Sequence, residues 1–178
     1  MSFVVVMVGL PGSGKSYLID KLRLADNSLT FLYSTDSYIE RCAERDNKSY
    51  TEVFELYIRE ATDYMNAQLK LAIESNLMVI WDQTNMNSSK RRWILSLFPD
   101  SYAKQCFAIA PPANDREWEL LYSRLGARVG KSIPGYVIDS MLAAYSEPTL
   151  EEGFSQICIS SIGGGVLKQV PDTQASFV

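Results

Sequence analysis

The chain has 178 residues, 47% of them apolar and 21% charged. That is the make-up of one ordinary globular domain with enough apolar side chains for a sizeable core, and it excludes wholesale disorder. Histidine is absent, which excludes a His-based triad, a His metal cluster and an imidazole base, and leaves carboxylates as the candidate proton acceptors.

The net charge of −4 argues against broad nonspecific binding to nucleic acid. Its distribution is uneven. Between Met86 and Lys131 eight basic residues stand against four acidic ones, so that stretch carries +4 and the remainder −8. The longest apolar run, Phe3 to Leu10, is far short of the roughly 20 residues of a membrane span and lacks the basic flank of a signal peptide. Cys42, Cys106 and Cys158 are odd in number and form no Cys-x-x-Cys pair. These features point to a soluble, unexported chain in a reducing cytoplasm, with no membrane partner.

Apolar runs alternate with amphipathic stretches, the pattern of a parallel sheet covered by helices. Phe3 to Val8 reads as a central strand buried on both faces. A glycine-rich turn from Gly9 to Gly14 leads into a helix over Lys15–Leu24 with Leu18, Ile19 and Leu22 on one face. Leu29–Tyr33 is the second strand, and a helix begins near Asp36. Ser49-x-x-Glu52 is a capping box opening a long helix to about Ser75, with Asn76 as its stop. Leu77–Trp81 and Lys104–Ala110 are the third and fourth strands, joined by a helix over Ser88–Leu97, and Gln156–Ser160 is the fifth. Helices over Asn114–Leu125 and Pro134–Tyr145 flank Gly126-Ala-Arg-Val-Gly130, with Pro134 in the first turn of the second. Residues 114–145 would form a lid on a domain spanning residues 1–165. Residues 166–178, after Gly163-Gly-Gly165, read as a loosely ordered tail.

Gly9-Leu-Pro-Gly-Ser-Gly-Lys15-Ser16 matches G-x-x-x-x-G-K-[ST] at every fixed position and lies between a strand and a helix. Glycines there let successive N–H groups and a helix N-terminus surround phosphate oxygens. Lys15 would bridge the β- and γ-phosphates and Ser16 would ligate Mg²⁺. Asp36 closes the second strand, on the sheet edge where ligands gather. It reads either as a helix cap or as a carboxylate that takes a proton from an attacking hydroxyl. Asp82 closes the third strand as a Walker-B aspartate does, and would hold Mg²⁺ through water or position an acceptor, with Thr84 and Asn85 supplying neutral hydrogen bonds. Arg124 and Arg128, four residues apart at the start of the lid loop, are suited to phosphate oxygens. Lys90-Arg91-Arg92 reads either as a contact for an acceptor phosphodiester or as a solvated helix face.

With these residues assembled, Phe3 to about Phe154 resembles the kinase domain of bacteriophage-type polynucleotide 5′-hydroxyl kinases, within the small P-loop kinases. The motifs that carry the likeness are the phosphate loop, Asp36 with Tyr38, Asp82-Gln-Thr-Asn85 with Arg91-Arg92, and Arg124-x-x-x-Arg128-x-x-Lys131-x-x-Pro134. The resemblance implies an α/β P-loop kinase-like three-layer fold, with a parallel five-stranded sheet, helices on both faces and a helical lid.

It also implies transfer of the γ-phosphate of ATP, with Mg²⁺, to a hydroxyl of DNA or RNA, most simply a 5′-OH end, in a host cytoplasm if phage-encoded. Asp36 would be the general base and Arg128 the arginine on the transferring phosphoryl group. Gly12, Ser13, Gly14, Lys15, Ser16, Tyr17 and Arg124 would hold the nucleotide, Ser16 and Asp82 the metal, and Asp36, Asp82, Thr84, Asn85 and Arg91 the acceptor.

Two departures stand out. Ile39 occupies the position, three residues after the base, where the phage enzymes carry an arginine that grips the acceptor phosphate. The sequence also reads as a kinase unit alone, without the phosphatase domain many of them carry. Three other functions compete: a kinase of hydroxymethylated bases in phage DNA, a small-molecule kinase, and a noncatalytic nucleotide-binding switch. The chain lacks the Asn-Lys-x-Asp motif of the commonest switch family.

Overall fold

The computed structural model describes residues 2–25 and 30–171. Six strands form one sheet in the order β2-β3-β1-β4-β5-β6: β1 Phe3–Val8, β2 Thr30–Tyr33, β3 Met78–Trp81, β4 Ala103–Ile109, β5 Gln156–Ser160 and β6 Val166–Val170. The first five run parallel, as the sequence pattern anticipates. The sixth corrects the expectation of a five-stranded sheet, and of a loose tail over residues 166–170, because β6 pairs antiparallel with β5; the rest of that expected tail, residues 172–178, lies outside the described residues. Ser161 donates its backbone N–H to Gly165 O at 2.7 Å and accepts one from Gly164, so the triple glycine makes a hairpin turn. The exposed Val166 and Leu167 give an edge strand little of the apolar alternation by which strands are recognised.

Helices α1 (Lys15–Ala25), α2 (Thr35–Asp46), α3 (Tyr50–Glu74), α4 (Ser88–Ser96), α5 (Asp115–Gly126) and α6 (Gly135–Ala143) connect the strands. Their bounds fall close to those expected, with Leu29 of the second strand outside the described residues. Successive side chains of a strand point to opposite faces, and β1 is buried on both. Val4, Val6 and Val8 pack with Met65 and Leu69 of α3 and Ile94 of α4, whereas Val5 and Met7 pack with Ile19 of α1. A continuous apolar strand is what a sheet between two helical layers requires. A separate cluster, centred on Leu10, Leu121, Ile138 and Ile162, seats α5 and α6 against the end of β1 and the β5–β6 turn. No helix among the described residues is long and apolar enough to cross a membrane.

Local chemistry sets the helix ends. Ser34, not Asp36, caps α2, its side chain accepting from Ser37 N at 3.3 Å. Asp36 therefore lies in the first turn, with its carboxylate unused by the cap. The capping box at α3 forms as expected: Glu52 accepts from Ser49 N at 2.8 Å while the Ser49 side chain accepts from Glu52 N. Asn76, at φ 53, ends α3 in the left-handed conformation that asparagine tolerates. Pro134 sits at the N-cap of α6, one position before the expected first turn, and Gly135 is the first helical residue.

The strand register brings the chemistry-bearing ends together. Tyr33 pairs with Trp81 and Val6 with Trp81, so β2 and β3 stop together and β1 runs two residues further, to Val8, at the same carboxyl edge of the sheet. The phosphate loop, Asp36 and Asp82 all leave from that edge, the site favoured for ligands in a parallel sheet.

Candidate active site

A cavity of about 690 Å³ opens on this edge, walled by Gly12, Gly14, Lys15 and Ser16 on one side and by Asp36 and Asp82 on another, with Arg124 and Arg128 also lining it. α5 seals the glycine loop. A Cβ on Gly12, whose φ is +77, would come within 3.1 Å of Leu125 Cδ2, so both the backbone angle and the close approach call for glycine there.

Lys15 folds back onto its loop, donating to Gly9 O at 2.9 Å and Leu10 O at 3.0 Å. Burial lowers its pKa to about 8, a shift that the carboxylates of Asp82 and Asp36 oppose. The first turn of α1 contains no acidic residue, leaving its positive end available to phosphate. Ser13 Oγ is buried without a hydrogen-bond partner. Arg124 Nη1 donates to Ser13 O at 3.0 Å and Ile162 O at 3.3 Å, tying the loop to the far end of β5.

Asp82 sits at the cavity wall among the ends of the inner strands, its N–H donated to Tyr33 O at 2.8 Å. Burial pushes its carboxyl above the ordinary range, against the pull of Lys15. It makes no ion pair among the described residues. A hydroxyl and one half-buried carboxylate, Ser16 and Asp82, fit a Mg²⁺ that keeps several waters and takes its other ligands from phosphate. The two side chains could therefore hold that ion. No cluster of three or more carboxylate or cysteine ligands exists among the described residues.

Asp36 is held on both oxygens. Tyr50 donates its hydroxyl to Oδ1 at 2.7 Å and Lys131 its ammonium to Oδ2 at 2.6 Å. Burial alone would raise the Asp36 pKa, but the hydrogen bond and charge of Lys131, the Tyr50 hydroxyl and the Arg128 charge together hold the carboxyl below the usual range. It is therefore ionised at neutral pH and able to accept a proton.

Three expected site residues engage other partners. Arg91 is completely buried and does not reach the cavity, which corrects its placement on the acceptor. Its Nε and Nη2 bind both carboxylate oxygens of Glu152 at 2.7 and 2.6 Å, and Nη1 donates to Asn85 O and Met86 O at 3.0 and 2.9 Å. Arg91 shares the inner face of α4 with Ile94 and Leu95, a spacing of three and four residues. Tyr17 is 63% exposed, lies outside the cavity wall and stacks under Lys21 at 4.6 Å. Asn85 lines the cavity, but its Nδ2 is committed to Met7 O at 2.8 Å and Gln83 O at 3.3 Å. Thr84 lines the cavity beside it.

Sequence reasoning missed others. Gln83 accepts from Trp81 Nε1 at 3.1 Å and donates to Thr35 Oγ1 at 3.2 Å, stapling β3 to the start of α2. Tyr50 gives no motif signal, and Lys131 is visible only as part of the Arg124 to Pro134 spacing. Ile39 is fully buried with Ala43, Val53 and Ala61, so its side chain belongs to the α2–α3 core rather than to the cavity.

A family model for the AAA domain matches residues 4–148. The chain belongs to the AAA domain family. Its phosphate loop suits the donor that P-loop kinases use generally, ATP with Mg²⁺. Over 154 residues this AAA domain is 29% identical to the L-seryl-tRNA(Sec) kinase of Methanococcus maripaludis, a match covering 82% of this chain and 53% of that protein. The chain thus spans about half the length of that curated relative. Among solved structures it is similar to one from the PezAT chromosomal toxin-antitoxin system of Streptococcus pneumoniae, with TM-score 0.58, 15% identity and coverage of 99% of this chain and 74% of that one. It is also similar to a sugar kinase from Janibacter sp., with TM-score 0.56, 16% identity and coverage of 92% and 87%. These two likenesses show that the AAA domain shares their α/β P-loop fold.

Proposed function

We propose that this AAA domain transfers the γ-phosphate of ATP to a hydroxyl carried by a nucleic acid, most simply a polynucleotide 5′-OH end. The observation that carries the choice of acceptor lies at the α4 end of the cavity. Lys90 lines that wall, with its ammonium 4.1 Å over the Trp93 ring and 6.0 Å over Trp81. Trp93 is 45% exposed. Lys90 has no carboxylate partner among the described residues, and burial lowers its pKa. A partly desolvated, unpaired cation beside an accessible indole suits a phosphodiester next to a base, since the ammonium neutralises phosphate and any base can stack on an aromatic face. The likeness to a kinase named for a tRNA substrate supports the same class of acceptor.

In this reading Lys15 leaves the Gly9 and Leu10 carbonyls for the β- and γ-phosphates, and the loop N–H groups take the remaining oxygens. Ser16 and Asp82 would hold Mg²⁺, whose charge would offset that of the donor phosphates. Asp36 accepts the hydroxyl proton as that oxygen bonds to the γ-phosphorus and the bond to the β-phosphate oxygen breaks. Arg128, from the α5–α6 loop, pairs with the transferring phosphoryl group, and Arg124 fixes the donor side. Residues 114–145 act as the lid of this single kinase unit. The three cysteines are buried and unpaired, which fits a reducing cytoplasm.

The test is transfer of labelled γ-phosphate from Mg²⁺-ATP to 5′-OH and 5′-phosphate oligonucleotides, to DNA containing hydroxymethyluracil, and to nucleosides and sugars. Label confined to 5′-OH ends supports the proposal. Label on modified bases regardless of the ends reassigns the acceptor, and label on small molecules alone overturns it.

A further inference from the structure

We propose that Lys131 and Tyr50 are positioning residues for Asp36, and that Lys131 makes the alignment of this carboxylate depend on the α5–α6 loop being docked against α3. The inference rests on the reading of Asp36 as the base. It concerns two residues to which the proposed reaction assigns no step.

The geometry separates a positioning role from a blocking one. Asp36 lines the cavity, while neither Lys131 nor Tyr50 does. The Asp36 side chain is half exposed although both oxygens are bonded. Each oxygen of an ionised carboxylate has two lone pairs, so one donor apiece leaves acceptor capacity on the cavity side. The donors approach from outside the reaction space and fix the rotamer without filling the place of an acceptor hydroxyl.

Lys131 is itself constrained. Its side chain is only 8% exposed, its ammonium also donates to Glu40 Oε1 at 3.1 Å, and it sits 3.9 Å over the Tyr50 ring. A buried ammonium needs such partners. The Tyr50 hydroxyl, whose pKa is pushed up by burial and by the Asp36 charge, stays protonated and remains a donor.

The loop carrying Lys131 is docked by its neighbour. Gly130 O accepts from Thr51 N at 3.3 Å and from Thr51 Oγ1 at 3.4 Å. Gly130, at φ +69, would bring a Cβ to 3.3 Å from Ser49 Cβ. The same segment carries Arg128 on the cavity side. Docking therefore delivers the cation that braces the base together with the cation that meets the phosphoryl group. Displacing the loop removes both.

The charged groups around Asp36 are Lys131 and Arg128 of the loop, Glu40 of α2, Lys15 of α1 and Asp82 after β3, and Tyr50 of α3 is the neutral titratable group beside it. Removing Lys131 takes away the largest influence holding the carboxyl down and leaves burial to raise it. The acid limb of the pH–rate profile should then move to higher pH, whereas simple loss of packing would lower the rate without moving the limb.

The experiment measures kcat, KM for ATP and the pH profile of transfer for Lys131→Met, Lys131→Arg, Tyr50→Phe, Gly130→Ala and Asp36→Asn. The expected result is a kcat loss of roughly 10- to 100-fold in Lys131→Met, the cost of a misplaced reacting group, with KM for ATP within about twofold and the acid limb shifted upward. Lys131→Arg should recover part of the rate. Tyr50→Phe and Gly130→Ala should change in the same direction and remain informative if Lys131→Met fails to fold. If Asp36→Asn abolishes transfer while the Lys131, Tyr50 and Gly130 variants keep wild-type kcat and profile, the inference is overturned and the base assignment stands. Transfer undiminished in Asp36→Asn removes the base assignment, and the inference with it.

Discussion

Arg91 and Glu152 meet inside the protein as a two-point ion pair, at 2.7 and 2.6 Å, with side chains 0% and 1% exposed. The pair joins α4 to the short turn Leu150–Glu152 ahead of β5. It also holds the Asn85–Met86 carbonyls beside the cavity. Breaking such a pair strands a buried charge at a cost of about 3–5 kcal/mol. Arg91→Met should lose roughly that much in chemical denaturation, with the KM for acceptor nearly unchanged in the protein that remains folded. Unaltered stability with a large rise in acceptor KM would return Arg91 to the substrate.

The lowered pKa of Lys15, about 8, has a consequence for nucleotide binding. Anionic phosphates favour the charged ammonium, so bound ATP raises this pKa and binding takes up a proton near pH 8. ATP affinity should fall as pH rises through about 8. Calorimetry in buffers of different ionisation enthalpy should show proton uptake that is absent in Lys15→Arg. For stability the sign follows from the same shift. Folding lowers this pKa below its unfolded value of 10.5, so the cost of burying the charge is full below pH 8 and is relieved between about 8 and 10.5.

Lys90 and Trp93 should govern the acceptor and not the donor. Lys90→Met is expected to raise the oligonucleotide KM about tenfold, leave the KM for ATP in place and reduce the salt dependence of acceptor binding by about one phosphate contact. Trp93→Ala should weaken acceptor binding by about 1–3 kcal/mol, the usual worth of a stacked base. Acceptor KM values unchanged from wild type in both variants would remove this wall from the nucleic-acid reading.

Much of this was legible in the sequence because it is local. A β-branched run, a glycine-rich phosphate motif and a capping box each declare themselves within a few residues, and they place β1, α1 and α3. The ion pairs do not. Arg91 and Glu152 are 61 residues apart and Lys131 and Asp36 are 95 apart. No spacing rule joins them, and the burial that distinguishes Arg91 from its neighbour Lys90 depends on which face of α4 meets the core. Ile39 illustrates the same limit. As a departure from the phage pattern it suggests weakened phosphate recognition, whereas in the fold it is core, and the cation on the cavity wall nearest Trp93 is Lys90 of α4. β6 escaped notice because an exposed edge strand needs little hydrophobic patterning.

Arg128 should matter to the rate far more than to binding. Arg128→Ala is expected to lower kcat by about 10³-fold, the scale of an arginine acting on a transferring phosphoryl group, with a small effect on stability because its side chain lines the cavity. Single-turnover kinetics would separate this from slow product release. A loss confined to KM would instead make Arg128 a binding residue.

Transfer to a 5′-OH end is tested by incubating wild-type protein with labelled Mg²⁺-ATP and one oligonucleotide in two forms, 5′-OH and 5′-phosphate, with Asp36→Asn in parallel. Label is expected on the 5′-OH strand alone and is lost in Asp36→Asn. Absence of label from the 5′-OH strand, with efficient transfer to a nucleoside or sugar in the same buffer, would contradict it.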